Sequence, residues 1–197
     1  EGLQDMTDAA AFALTTFEEP NFKGQIGVRK AWNSSFRNPM LPSINALIKS
    51  GTSRIRFAYA RGYRAPTLKE LYFRFVDINH QLFGNPNLQA ESSNYSEVSW
   101  SRKRENSQIL TKIFVNDVVD RISLIDQLDG TFRYENVYRF HARGISFNGD
   151  LKLDNFYLSS GVQFTGREQN INASDSKAEV LWTPEFTGSL EFQIIET

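Results

Sequence analysis

The sequence predicts an all-β protein, an antiparallel up-and-down meander forming part of a transmembrane barrel, on three observations. Apolar residues recur at every second position, which puts them on one face of a strand. The alternating runs mostly hold roughly 9 to 15 residues, whereas strands in globular sheets centre on about 5 to 6 and an oblique bilayer crossing needs about 9 to 11. Tight turns alternate with long connections along the chain, as in barrels with short periplasmic turns and long outer loops. No segment holds a clean helical stripe.

Nine long strands follow in order. Segments 8–18 and 22–35 are joined by the short connection Glu19-Pro20-Asn21. Segments 41–49 and 53–63 are joined by Ser50-Gly51-Thr52, and in the latter Ile55, Phe57 and Tyr59 alternate with Arg54, Arg56 and Ala58. Segments 93–104 and 107–118 meet at Lys103-Arg104-Glu105-Asn106. In 137–153, Ile145, Phe147, Gly149, Leu151 and Leu153 interleave with Ser146, Asn148, Asp150 and Lys152. After the Asp154-Asn155 turn, 155–168 alternates in the same way through Phe156, Leu158, Val162 and Phe164. The ninth, 183–195, does so through Phe186, Leu190, Phe192 and Ile194. The connections after positions 63, 118 and 168 are far longer than these turns and belong on the outer side, and 36–40 is a short exception there. Trp32, Trp182 and Tyr138 fall at outer strand ends, where an aromatic belt belongs. A soluble β-sandwich shares the alternation, and strand length and loop asymmetry speak against it.

Composition excludes several functions. The net charge of -1 offers no basic surplus for nucleic acid. The absence of cysteine removes a thiolate zinc site, a cysteine nucleophile and a disulfide scaffold. Mean hydropathy is -0.43 and no run reaches the roughly 18 to 20 apolar residues of a spanning helix, so any membrane crossing is made by strands. No Ser/His/Asp set, H-E-x-x-H or phosphate-cradling glycine loop is present, so no enzyme is expected. The N-terminal residues Glu1-Gly2-Leu3-Gln4-Asp5 lack the regions of a signal peptide.

Residues 57–73 read Phe57-Ala-Tyr-Ala-Arg-Gly-Tyr63-Arg64-Ala65-Pro66-Thr-Leu68-Lys-Glu70-Leu71-Tyr72-Phe73, and 84–91 read Gly84-Asn85-Pro86-Asn87-Leu88-Gln-Ala-Glu91. Together they closely resemble the adjacent FRAP and NPNL boxes of TonB-dependent outer-membrane receptors, with Tyr63 in place of the leading Phe. Ser96-Glu97-Val98, Phe114 to Asp120, Glu135-Asn136-Val137-Tyr138, Ala142-Arg143-Gly144-Ile145 and Thr183-Pro184 are similar to later family segments, in the family's order. The resemblance implies that residues 1–197 are part of a 22-stranded barrel in the outer membrane of a Gram-negative bacterium, lacking the plug domain, the TonB-binding box and the terminal strand. It implies active uptake of an iron complex, with haem foremost and siderophore or cobalamin as alternatives. The implied partners are the TonB complex through the plug, outer-membrane lipid and an extracellular ligand, with no intrinsic cofactor and no nucleic acid. The competing class is a non-transporting binder, a soluble sandwich or a surface adhesin. An isolated piece of barrel is expected to self-associate.

The candidate ligand-binding residues are Tyr63, Arg64, His80, Asn85 and Asn87. For the boxes there is a structural reading, in which Pro66 ends one strand and Asn85-Pro86-Asn87 makes the turn that launches the next, and a direct ligand-contact reading. His80 lies between the boxes in an expected outer loop, where neutral imidazole can ligate haem iron. Haem receptors of the resembled family carry a histidine there, although a lone loop histidine is more often simply solvated. His141, the other histidine, shares parity with Arg143 and Ile145 and points away from the lumen. Tyr72, Phe73, Phe75 and Phe83 either wall an apolar ligand or pack the loop on itself. Asp117, Asp120, Asp126 and Asp129 either hold a hard cation or lie on a solvated hairpin, and their spacing matches no calcium loop.

Overall fold

The computed structural model describes residues 4–37, 39–78, 81–170 and 179–192. Among these residues eleven strands and one short helix are formed: β1 (Asp8–Glu19), β2 (Phe22–Asn33), β3 (Met40–Ser50), β4 (Ser53–Arg64), α1 (Leu68–Tyr72), β5 (Arg74–Val76), β6 (Gln81–Phe83), β7 (Glu91–Lys103), β8 (Ser107–Asp126), β9 (Thr131–Leu153), β10 (Phe156–Asn170) and β11 (Leu181–Phe192). Nine of the strands make one sheet in the order β1-β2-β3-β4-β7-β8-β9-β10-β11, each antiparallel to its neighbour. There is no Greek-key crossing and no second stacked sheet among the described residues, so the sandwich alternative falls away. The short strands β5 and β6 form a hairpin off this path, and β6 also pairs in parallel with the start of β9.

Register explains the two faces. One row across the sheet runs Phe22, Ile48, Ile55, Trp100, Thr111, Phe147, Val162, Phe186. The next row, one residue along each strand, runs Lys23, Leu47, Arg56, Ser99, Lys112, Ser146, Gln163, Glu185. Because side chains alternate between faces, the first row is on the lipid side and the second on the lumen side. Ile145, Phe147, Leu151, Phe156, Leu158, Leu190 and Phe192 share the first face, as the alternation requires. His141 is level with Asp117 and Glu168 on that same outward side.

The four tight turns occur where expected, at residues 20–21, 51–52, 104–106 and 154–155. Gly51 and Asp154 have positive φ, the left-handed conformation that closes such turns. The connection after 118 is a correction. Instead of a long loop, β8 runs on to Asp126 and β9 begins at Thr131, so a four-residue turn closes a long hairpin. Ile122, Leu124, Phe132 and Tyr134 sustain paired strands there, while the aspartates that looked like loop residues have specific partners. Asp126 accepts from the Leu128 N–H, and Asp129 from the N–H and hydroxyl of Thr131, at the turn itself. Asp117, Asp120 and Asp126 thus lie on the β8 strand of a long hairpin, and Asp129 lies in its turn. Tyr138 is corrected with the loop: it lies well inside β9 rather than at a strand end, whereas Trp32 and Trp182 do sit next to the ends of β2 and β11.

Candidate functional site

Between β4 and β7 the chain folds into a braced loop, and its first element is legible in four residues. Thr67-x-x-Glu70 is a capping box, in which the Thr67 side chain accepts from the Glu70 N–H and the Glu70 carboxylate accepts from the Thr67 N–H. Two otherwise unpaired donors at the start of α1 are thereby satisfied. Pro66, just before the cap, is fully buried.

Arg64 joins this cap to the sheet. Its Nε and Nη2 donate to the two oxygens of Glu91 at 2.9 and 2.8 Å, and its Nη1 donates to both oxygens of Glu70 at 2.9 Å. Arg64 and Glu91 are also the last paired rung of β4 and β7. Glu91 Oε1 accepts in addition from the Ile122 N–H of β8 at 2.6 Å. Hydrogen bonds to Glu91 hold the guanidinium firmly protonated against partial burial, with Glu70 adding to them. Burial pushes the Glu70 carboxyl up, but the Thr67 N–H, Arg64 and the Thr67 hydroxyl together outweigh it and hold it below its ordinary value.

The second box locks onto the first and onto β9. The Gly84 N–H donates to the Phe73 carbonyl at 2.6 Å, closing the base of the β5–β6 hairpin, and the Asn85 N–H donates to the Glu70 carbonyl at 2.9 Å. A Cβ on Gly84 would lie 2.7 Å from the backbone of Leu71 and Tyr72, so glycine is needed for this approach. Asn85 is buried; its side-chain oxygen accepts from the Asn87 N–H and its amide donates to Glu135. Asn136 accepts from the Gln89 N–H and donates to the carbonyls of Gln89 and Asp120. That last bond holds Asp120 at positive φ, an unusual conformation for a residue other than glycine. Leu71, Leu88 and Ile122 pack together beneath these polar ties, with Phe36 and Tyr134 against them.

The five candidate residues therefore separate. Arg64 and Asn85 are engaged by protein groups. The Tyr63 hydroxyl is buried without a hydrogen-bond partner among the described residues, and burial, with the charge of Asp8, pushes its phenol up. Asn87 is exposed and lines an open groove of 480 Å³ with Met6, Phe36, Arg37, Tyr72 and Gln89. His80 lies outside the described residues. Of the loop aromatics, Phe73 and Phe75 stack on each other with centroids 6.3 Å apart, and both remain partly exposed. Sequence reasoning missed Glu70, Glu91, Glu135 and Asn136 as site-building residues. Only Glu70 carried a local signal, the capping box; the other three act across strands.

Comparison with known proteins agrees with this architecture. A model of the TonB dependent receptor-like, beta-barrel family matches residues 3–194. The hemoglobin and hemoglobin-haptoglobin-binding protein B of Haemophilus influenzae is 32% identical over 136 residues, covering 60% of this chain and 13% of that protein. A probable hemoglobin and hemoglobin-haptoglobin-binding protein 1 of the same species is 30% identical over 154 residues, covering 68% of this chain and 14% of that protein. The chain thus spans about a seventh of the length of these curated relatives. Among solved structures, the siderophore receptor PirA from Pseudomonas aeruginosa superposes with a TM-score of 0.72 at 20% identity, over 94% of this chain and 38% of that one. The FrpB iron transporter from Neisseria meningitidis gives 0.69 at 12% identity, over 96% and 31%. With its lipid-facing and lumen-facing rows, its ordered meander and its two interlocked boxes, the chain belongs to the TonB-dependent receptor β-barrel family of the Gram-negative outer membrane.

Proposed function

We propose that this chain is barrel wall and outer loop of a receptor that captures haem from haemoglobin and imports it, driven by the TonB complex through a plug. The observation that carries the reading is the braced loop. The β5–β6 hairpin is closed at its base by the Gly84–Phe73 bond, tied to α1 through the Asn85 N–H and paired along its side with β9, and in the sequence His80 falls between its two strands. Neutral imidazole can ligate haem iron, and a braced hairpin on either side lowers the ordering cost of binding. The haemoglobin-binding relatives support haem as the cargo. In this reading Arg64 and Asn85 hold the platform, Asn87 faces the ligand side through the open groove, and Tyr63 supports the strand end below. The transported ligand is cargo and not a resident cofactor.

In the full-length receptor, His80→Ala should abolish uptake of haem from haemoglobin while the protein still reaches the outer membrane. Equal uptake by variant and wild type would remove His80 from the mechanism and move a ferric siderophore or cobalamin ahead of haem.

A further inference from the structure

On the outward face, the chemistry of successive rows changes abruptly toward the outer end. The row Phe57, Val98, Ile113, Ile145, Phe164, Pro184 is wholly apolar. One step up on the same face, the row Tyr59, Ser96, Val115, Arg143, Gly166, Trp182 mixes aromatic, small and cationic residues. The following row is polar throughout: Arg61, Asn94, Asp117, His141, Glu168. Arg139 comes next on this side of β9.

Arg139, His141 and Arg143 thus stand on one side of a single strand, about 7 Å apart along it. Arg143 is exposed, and its guanidinium lies over the Trp182 ring at 6.0 Å. Gly166 lies between them in register, and a Cβ there would meet the Trp182 ring at 3.0 Å, so the indole lies close over β10 toward Arg143. Of the two carboxylates in these rows among the described residues, Asp117 is engaged by His141 and lies 4.0 Å from Arg139. Glu168 is level with His141. Among the described residues of these outward rows, three guanidiniums, those of Arg61, Arg139 and Arg143, stand with the two carboxylates Asp117 and Glu168 where the apolar surface stops.

A molecule that touches both the cationic rows and the apolar row beneath must be an amphiphile with an anionic head. We propose that Arg139, His141 and Arg143, with Trp182, bind the phosphate headgroup of an outer-leaflet lipid whose chains run down over Ile145 and Phe164. Guanidinium groups offer phosphate paired N–H donors, and a tryptophan at this depth presents an apolar body to the chains and its N–H to the interface. The site is continuous with the lipid-facing surface and owes nothing to the loop assigned to ligand capture.

The test uses the full-length receptor in neutral detergent, with retained lipid counted by native mass spectrometry. The probes are phosphatidic acid, diacylglycerol with the same chains, and inorganic phosphate as competitor. Arg139→Gln with Arg143→Gln should weaken phosphatidic acid retention by about tenfold, the effect expected from losing charge-assisted hydrogen bonds. Diacylglycerol retention should not change, Arg143→Lys should retain an intermediate amount, and the lumenal control Arg167→Gln should match wild type. The proposal is overturned if the double variant retains phosphatidic acid like wild type, or if Arg167→Gln loses as much. Displacement of the lipid by an equal concentration of inorganic phosphate would likewise overturn it, since the site would then recognise a free anion.

Discussion

Arg64 makes four short hydrogen bonds to two carboxylates that both follow it in the sequence, one from the helix cap and one from the next long strand. Arg64→Ala leaves Glu70 and Glu91 largely buried without their counter-ion, a change that typically costs about 3 to 5 kcal/mol when a pair is fully enclosed. The guanidinium is 41% exposed, so roughly 2 kcal/mol is the expected loss here. Amide exchange in residues 67–91 of the full receptor should accelerate by about thirtyfold. Arg64→Lys should recover only part, because an ammonium cannot fork to two carboxylates at once. The cap also has an acid limit. Since Glu70 is held below its ordinary 4.5, its stabilisation is complete above that pH and is lost as pH falls through the lowered folded value. Exchange protection of α1 measured against pH reads this directly, and protection that grew on acidification would contradict the sign. Gly84→Ala should loosen the hairpin base by about 1 to 3 kcal/mol through overpacking, whereas Gly149→Ala, with open space around its Cβ, should be near silent. Limited proteolysis after Val76 separates the two. Arg64 and Asn85 were legible as special residues but not as bracing ones. Glu91 lies 27 residues from Arg64, and Glu135 lies 50 from Asn85, so nothing local shows that they converge.

At the scale of elements, the strands that cross the bilayer were the most legible, because one apolar face imposes a period of two. The β8–β9 extension was not, since Asp117, Asp120 and Asp126 imitate a loop. What makes it a strand pair is nonlocal: the Ile122 N–H donates to Glu91, and Asn136 fixes the Asp120 carbonyl. Asn136→Asp keeps the shape but turns two donated bonds into repulsive oxygen contacts. The variant should release the Gln89 segment and the kink at Asp120 together, seen as a joint loss of amide protection at Gln89, Leu88 and Arg121. If only one of these loosened, the two boxes and the hairpin would be independent parts.

For the molecule as a whole, the rows predict behaviour in water. Phe12, Ile26, Ile55, Ile113, Phe186 and Leu190 are each about half exposed or more, and among the described residues the sheet ends in two unpaired edges, β1 and β11. Such surfaces pair or stack. The isolated chain should scatter light as an oligomer at low micromolar concentration and become monodisperse in detergent; a detergent-free monomer would mean that the outward face is misassigned. Barrel membership was readable from strand length, whereas turn asymmetry was a weaker guide, since the connection after 118 is a four-residue turn. The direction of the lumen was readable from the alternation, once charged rows are set beside apolar ones.

The sequential meander also dictates an order of assembly. Each strand pairs with the next, so nearly every pairing closes a short loop and contact order stays low for an all-β chain. The exception among the described pairings of the main sheet is β4 with β7, across residues 65–90. Closing that segment costs about 2 kcal/mol more entropy than a two-residue turn, on a logarithmic dependence of closure on length. Its mouth is the Arg64–Glu91 rung, so the bond that braces the finished loop also joins two separately zippered halves, β1–β4 and β7–β11. Substitution of Arg64 should therefore slow refolding of the barrel into micelles, leaving the unfolding rate much less changed, as expected of a contact already made at the barrier.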